Sequence, residues 1–252
     1  MHTICEEAKC PNIAECFGNG TAVFLILGDV CTRNCKYCNV KNGKPLELNK
    51  NEPVDVANSV KHLGLKYVVI TSVTRDDLDD GGASYFFNTV NEIRKINKNC
   101  KIELLIPDFM GLIKPLEKVI DSKPDVINHN IEVVKELFPR IRPEGNYEIS
   151  LDLLDNIKKI NENIKTKSGF MIGLGENKNQ ILKTMNDLRS AKVDYLTIGQ
   201  YLQPTKSHIG IKKYYHPKEF KELRKIGEDI GFKNVESGPL VRSSYHAEKI
   251  FS

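Results

Sequence analysis

The chain has 252 residues, enough to bury a full core as one large α/β domain or two small ones, and its 40% hydrophobic and 28% charged content is ordinary for a soluble globular protein. No apolar run approaches the roughly 20 residues of a membrane span, and no basic stretch followed by an apolar one opens the sequence, so the expectation is a soluble intracellular protein. With 37 basic against 33 acidic residues the formal charge is +4, too mild to announce a nucleic-acid or membrane-surface protein.

In chain order, the first feature is CEEAKCPNIAEC, which places Cys5, Cys10 and Cys16 at a C-x4-C-x5-C spacing. The run AVFLILG follows as the first predicted strand, and directly after it CTRNCKYC places Cys31, Cys35 and Cys38 at C-x3-C-x2-C. Six of the seven cysteines therefore lie in the first 38 residues. An odd number, bunched at one end of a chain without a secretory signal, argues for metal or redox chemistry over a disulfide framework.

Beyond the cysteines, short apolar runs alternate with amphipathic segments, the pattern of repeated βα units. The first predicted helix presents Val56, Ala57, Val60 and Leu63, and the strand KYVVITSV, which contains Thr71, comes next. The segment TRDDLDDGG follows, with Arg75 and Asp76; its aspartates suit a helix start, and Gly81 and Gly82 permit close backbone approach. The second helix carries Phe86, Phe87, Val90 and Ile93, and the third strand is KIELLIP, with Cys100 at its entrance as a buried inert thiol.

A helix from Met110 to about Ile120, interrupted near Pro115, leads to the strand PDVINHNI and the polar residues Asn128, His129, Asn130 and Glu132. A helix from Ser150 to Ile160 precedes TKSGFMIG, which carries Lys167 and Ser168. A helix with Ile181, Leu182, Met185 and Leu188 leads to DYLTIGQYL, ending at Gln200 and Tyr201. After the basic and aromatic run KKYYHP, a last helix presents Phe220, Leu223, Ile226 and Ile230.

Six βα units are too few for an eight-fold barrel, so the fold class is α/β, a curved, partly open (β/α)6 barrel over residues 21–236. Residues 1–20 and 237–252 are appendages of the same single domain. Strands such as VVIT and ELLI are apolar on both faces, as helices on one side and a packed interior on the other require. Chemistry in such folds sits in loops at the C-terminal strand ends, where CTRNCKYC falls. An amide or carboxylate at those ends, such as Asn128, Asn130 or Glu132, suits ribose hydroxyls, with an ordinary loop hydrogen bond the alternative for each.

A structural zinc site normally takes four protein ligands. Three thiolates leave one corner open, which suits a cubane iron–sulfur cluster whose unique iron binds something else; a zinc knuckle or incidental thiols are the alternatives. The upstream triad is likewise a three-thiolate set. The histidines at 2, 62, 129, 208, 216 and 246 form no metal-ligand spacing.

The C-x3-C-x2-C spacing after a first barrel strand, with Tyr37 in the aromatic position, resembles the signature of the radical S-adenosylmethionine superfamily. Within it, the chain resembles the lipoyl synthase family nearly end to end: CEEAKCPNIAEC, GDVCTRNCKYCNV, TSVTRDDLDDGGA, PDFMG, INHNIEVV, TKSGFMIGLGE, TIGQYLQP and GPLVRSSYHA all look like that family's blocks. The resemblance implies two 4Fe–4S clusters and S-adenosyl-L-methionine as cofactors. Cys31, Cys35 and Cys38 would bind the radical-generating cluster, and Cys5, Cys10 and Cys16 an auxiliary one completed by Ser244 of RSSY, with Ser243 the alternative. A serine hydroxyl is a harder, weaker partner for iron than a thiolate, so that corner is the one to open.

The reaction implied is insertion of two sulfur atoms at C6 and C8 of a protein-bound octanoyl-lysine, with the auxiliary cluster as sulfur donor. Tyr37, Thr71, Asn128, Asn130, Glu132, Ser168 and Gln200 are the residues expected at the cofactor, and Arg75, Asp76, His129 and Arg242 those expected at the substrate. The implied partners are octanoylated lipoyl-carrier domains of 2-oxoacid dehydrogenase E2 subunits or the glycine cleavage H protein, and an electron donor such as ferredoxin or flavodoxin. Neither nucleic acid nor membrane is expected, and the expected compartment is the cytoplasm, or a mitochondrion or plastid only if a transit peptide has been removed. Docking of an acidic carrier domain is the alternative to a solvated loop for KKYYHP, Lys212 to Pro217.

Two departures stand out. Phe17 occupies a position where many relatives are expected to have tryptophan, and the chain starts almost at the auxiliary motif, whereas family members usually carry a preceding segment packed along the barrel. A biotin synthase-like enzyme and a zinc-stabilised binding protein are the rival readings; the Cys5 triad and RSSY argue against the first.

Overall fold

A computed structural model describes residues 2–3, 12, 18, 20–245 and 247. Cys5, Cys10 and Cys16 lie outside the described residues. The chain divides into two compact units, one containing the described chain up to Arg33, Val40–Asn128 and Ala247, the other Asn34–Asn39 and His129–Tyr245.

In the first unit β1 (His2–Thr3) pairs antiparallel with β2 (Thr21–Ile26). A short parallel pair, β3 (Val30–Cys31) with β4 (Lys41–Asn42), follows β2. The helix α1 (Glu52–His62) buries Pro53, Val56, Ala57 and Val60, one stripe at helical spacing, with Pro53 in the first turn where its missing N–H costs nothing. Then come β5 (Tyr67–Ser72), α2 (Ala83–Ile96), β6 (Lys101–Leu105), α3 (Ile113–Asp121) and β7 (Val126–Asn128). The parallel order is β2-β5-β6-β7. Every residue of β2 is buried, as are all but the last of β5, the signature of a parallel sheet covered on both faces. Val68, Val69 and Ile70 are fully buried, each worth about 1.5–3 kcal/mol of apolar transfer.

The segment before α3 corrects the expected interrupted helix. Phe109, Met110 and Gly111 have φ of 48°, 54° and 78°, a left-handed turn, and α3 starts only at Ile113. Pro115 then falls in the first turn, so it opens the helix instead of breaking it.

The second unit contains α4 (Phe138–Ile141), α5 (Tyr147–Ile160), β8 (Lys165–Ile172), α6 (Lys178–Ser190), β9 (Tyr195–Gln200), α7 (Pro217–Ile230) and β10 (Asn234–Gly238). The three strands run parallel in the order β8-β9-β10. Asn146 caps α5 through Ile149 N, and capping boxes Asn177/Gln180 and His216/Glu219 open α6 and α7. The strand β10 adds to the six expected ones and includes Ser237, placed by the sequence in a tail. Its sequence, NVESG, buries only Val235, so it carries no apolar run to announce it. Among the described residues no helix is long and apolar enough to cross a membrane.

Candidate active site

In the first unit the cysteine loop leaves β2 through Leu27 and Gly28, both with positive φ. It returns to the β5 end, where Thr32 N and Oγ1 each donate to Thr74 O at 3.0 Å. Cys31 Sγ accepts two backbone N–H groups, Arg33 N at 3.4 Å and Thr74 N at 3.3 Å. Such donors stabilise charge on sulfur and suit a thiolate ligand.

Arg33 is 6% exposed and bonded to two carboxylates at once. Its Nε and Nη2 donate to Asp76 at 2.7 and 2.9 Å, and its Nη1 and Nη2 donate to Asp108 at 2.6 Å each. Burial pushes the guanidinium down, but hydrogen bonds and charge from Asp108 and Asp76 outweigh it and hold the group protonated, above its usual value. Asp108 Oδ1 also accepts from Met110 N at 3.0 Å, fixing the left-handed turn.

Arg75 is spent locally. Its Nε and Nη2 donate to Asp77 at 2.8 Å and its Nη1 to Leu27 O at 3.2 Å. The Gly81–Gly82 pair is required by contact: a Cβ on Gly82 would lie 2.3 Å from Leu27 Cδ1, and one on Gly81 2.9 Å from Phe109 Cδ1. Thr71 Oγ1 donates to Leu105 O at 3.0 Å. Glu103, fully buried in β6, accepts from Tyr67 Oη at 2.6 Å and Asn128 Nδ2 at 2.8 Å. Asn128 Oδ1 and Ser72 Oγ are buried without a hydrogen-bond partner among the described residues, and each belongs to the last residue of its strand.

In the second unit Cys35 and Cys38 share a turn, Cys38 N donating to Cys35 O at 3.1 Å. The turn is braced by Ile209 N on Lys36 O at 3.2 Å and by His208 Nε2 on Cys38 O at 2.9 Å. His208 thus supports the cysteine loop. Tyr37, beside them, is hydrogen-bonded to Glu132, and its hydroxyl is held well above its usual pKa by burial first and by the Glu132 charge second.

Glu132 has φ of 70°, uncommon for a residue with a side chain, and is locked there by Glu132 N on Gly169 O at 3.0 Å and Met171 N on Glu132 O at 2.8 Å. Burial raises its carboxyl above the usual range, while Arg142, Asn130 and Tyr37 act in the other direction. Arg142, buried over the Phe138 ring, donates to the carbonyls of Asn130 and Ile131 at 3.2 and 3.3 Å. Asn130 Oδ1 and Ser237 Oγ are buried without a hydrogen-bond partner among the described residues.

Other candidates have internal partners. Ser168 Oγ accepts from Ile131 N at 3.3 Å, and His129 Nε2 meets Ser150 Oγ at 3.0 Å. Gln200 clasps the following loop, its Nε2 donating to Lys213 O at 3.0 Å and its Oε1 accepting from Tyr215 N at 3.0 Å. Arg242 Nη1 donates to Val241 O at 2.7 Å. Ser243 and Ser244 are the central residues of a turn closed by Tyr245 N on Arg242 O at 2.9 Å, and both are half-exposed. Val241, which leads into that turn, packs on Gly199 of β9, where a Cβ would stand 2.3 Å from Val241 O.

Cys31, Cys35 and Cys38 are in no disulfide and half-exposed, whereas Cys100 is buried and its thiol is pushed up to about 11 by desolvation. Among the described residues no three His, Cys, Asp or Glu side chains are gathered closely enough to hold a metal ion. The donor chemistry of the loop nevertheless fits an iron–sulfur cluster: three cysteines at C-x3-C-x2-C outside any disulfide, with backbone N–H groups on Cys31. Arg33, Asp108, Arg142 and Glu103 were not singled out from the sequence; only the position of Arg33 between two cysteines and of Asp108 in PDFMG pointed their way.

Parallel βα units with a three-thiol loop after the first strand of the series are the arrangement of radical S-adenosylmethionine enzymes, and the Radical SAM superfamily model matches residues 25–188. A solved structure of Streptococcus suis SuiB bound to S-adenosylmethionine shares the fold, with a TM-score of 0.65 at 13% identity over 89% of this chain and 52% of that one. The lipoyl synthase of Caldicellulosiruptor bescii is 56% identical over 248 residues, 98% of this chain and 85% of the relative. That of Halalkalibacterium halodurans is 55% identical over 250 residues, 99% of this chain and 82% of the relative. The chain belongs to the lipoyl synthase family of the radical SAM superfamily.

Proposed function

We propose that the chain inserts sulfur at C6 and C8 of an octanoyl-lysine borne by a carrier protein, with Cys31, Cys35 and Cys38 holding one 4Fe–4S cluster and Cys5, Cys10, Cys16 and Ser244 holding the other. The observation that carries the assignment of the first set is the pair of backbone N–H groups on Cys31 Sγ, in a loop that also carries Cys35 and Cys38. When bound, the first cluster would supply the electron that cleaves S-adenosylmethionine into methionine and a hydrogen-abstracting deoxyadenosyl radical, and the second would supply the sulfur.

The chain's own residues bind, orient and exclude water. Glu132, set in a left-handed backbone beside Tyr37, and Asn130, with its free Oδ1, are the groups assigned to the ribose hydroxyls. Asn128 Oδ1 and Ser72 Oγ offer further hydrogen-bonding positions at strand ends. Ser244, at the middle of a short turn and half-exposed, is assigned the releasable corner of the auxiliary cluster, because a serine oxygen binds iron less firmly than a thiolate. Arg75, Thr71 and Gln200 already have partners inside the chain and are assigned to bracing the site.

The carriers are E2 subunits or the glycine cleavage H protein, the electron donor is ferredoxin or flavodoxin, and the compartment is the cytoplasm. The test is anaerobic reconstitution with iron and sulfide, incubation with S-adenosylmethionine, dithionite and an octanoyl-lysine peptide, and mass spectrometry of nucleoside and peptide. Two added sulfurs are expected, and Cys5→Ala is expected to stop their insertion while deoxyadenosine still forms. Deoxyadenosine with an unchanged peptide, in protein holding both clusters, would overturn the choice of substrate.

A further inference from the structure

Arg33 lies two residues from Cys31, and its buried guanidinium makes four bonds, all of them to carboxylates. Its side chain joins three separate segments: the cysteine loop, the β5 end at Asp76, and the β6 end at Asp108. Four charge-assisted bonds of 2.6–2.9 Å on one buried guanidinium fix a planar group in two directions at once.

The same segments carry the N–H donors of Cys31. One is the backbone N–H of Arg33 itself, and the other belongs to Thr74, two residues before Asp76. Thr32 closes the loop between them, donating to Thr74 O and accepting from Asp76 N at 3.1 Å. Any displacement of Arg33 from Asp76 therefore moves both donors relative to the sulfur.

We propose that Arg33, clamped between Asp76 and Asp108, is a positioning residue that holds the two N–H donors on Cys31 Sγ and so sets the reduction potential of the cluster bound there. Hydrogen bonds to cluster sulfurs draw electron density away and favour the reduced state. A lysine keeps the positive charge but cannot form a planar fork on two carboxylates. The charge and the positioning role therefore separate cleanly.

The inference rests on Cys31, Cys35 and Cys38 binding the cluster, and the experiment tells the two apart. Unaltered protein is reconstituted, its iron and sulfide are counted, and its potential is measured by electron paramagnetic resonance during a redox titration. The same is done for Arg33→Lys, Arg33→Gln and Thr32→Val, with thermal melting to establish folding. Arg33→Lys and Arg33→Gln are both expected to hold about tenfold less reduced cluster at a fixed ambient potential, a shift of about 59 mV. Thr32→Val, which cuts only the hydroxyl link and preserves shape, is expected to shift in the same direction by less.

A parental potential in folded Arg33→Lys overturns the positioning role, including the case where Arg33→Gln alone shifts, since charge would then be the whole effect. Should neither arginine variant fold, a parental potential in Thr32→Val overturns it instead. Failure of the unaltered protein to gain a reducible cluster, or an unchanged iron count in Cys31→Ala, overturns the cluster assignment itself.

Discussion

Arg33 in the first unit and Glu132 in the second are both charged residues drawn into protein beside a cysteine loop, but they are treated oppositely. Arg33 makes four bonds to two carboxylates, with ordinary backbone geometry around it. Glu132 sits at φ 70° with Asn130 Oδ1 unpartnered nearby in the chain, and leaving such an atom buried costs about 1–3 kcal/mol. The proposed roles follow that difference: one group holds the site's frame, the other is assigned to a ligand. Stability should depend on the first kind, and binding on the second.

The hardest test is Cys31→Ala, which is expected to abolish deoxyadenosine formation and remove one cluster's iron while leaving the urea midpoint nearly unchanged. Glu132→Ala should weaken S-adenosylmethionine binding about tenfold to hundredfold, the worth of a hydrogen bond to a charged group, as read by calorimetry on the reconstituted protein. Unchanged affinity there would erase the distinction drawn above. Asp194→Asn should do the reverse. Asp194 receives Lys158 Nζ at 2.6 Å and Lys233 Nζ at 2.8 Å, so its loss should cost about 3 kcal/mol in urea unfolding and leave the nucleotide affinity intact.

The two carboxylates also differ in the sign of their pH dependence. Burial opposes ionisation of Asp194, but Lys158 and Lys233 outweigh it and hold its pKa below 3.8, so its contribution is present above that value and lost as pH falls through the folded pKa. Burial raises Glu132 above 4.5, so stability declines as pH climbs from that value through the folded pKa, and Glu132→Gln should flatten this decline. Urea midpoints measured from pH 3 to pH 7 check both. Gly82→Ala, which brings a Cβ to 2.3 Å from Leu27 Cδ1 at φ 91°, should cost about 1–3 kcal/mol. The smallest effect belongs to Lys212→Ala: a stability change within about 0.5 kcal/mol, a weaker reaction with carrier protein, and an unaltered one with octanoyl-lysine peptide. Equal loss on both substrates would reject docking at this loop.

Much of the frame was legible because β2, β5, β6, β8 and β9 are apolar runs with helices of clear periodicity between them. The strand β10 was not, because pairing with β9 leaves only Val235 to bury. The turn at Phe109–Gly111 was hidden as well, since nothing in FMG forces φ positive until Asp108 and the Gly81–Phe109 contact are in place. Spacing and resemblance pointed to the cysteines, to Asn130 and to Glu132. The Arg33–Asp108 pair spans 75 residues, and no local pattern reports which carboxylate a buried arginine will meet across such a distance.

Gly199 has a consequence for how the chain can vary. With Val241 O lying 2.3 Å from where its Cβ would be, the smallest side chain at that position would push away the segment that leads into Ser243 and Ser244. A single hydrogen atom is thus the spacer that gauges how closely Val241, at the entry to the serine turn, packs on β9. Since misplacement by about 1 Å can cost about a hundredfold in rate, even alanine at this position would disturb assembly tolerances without altering any chemical group. Attempts to graft the serine turn onto a related barrel must carry that clearance along with the motif.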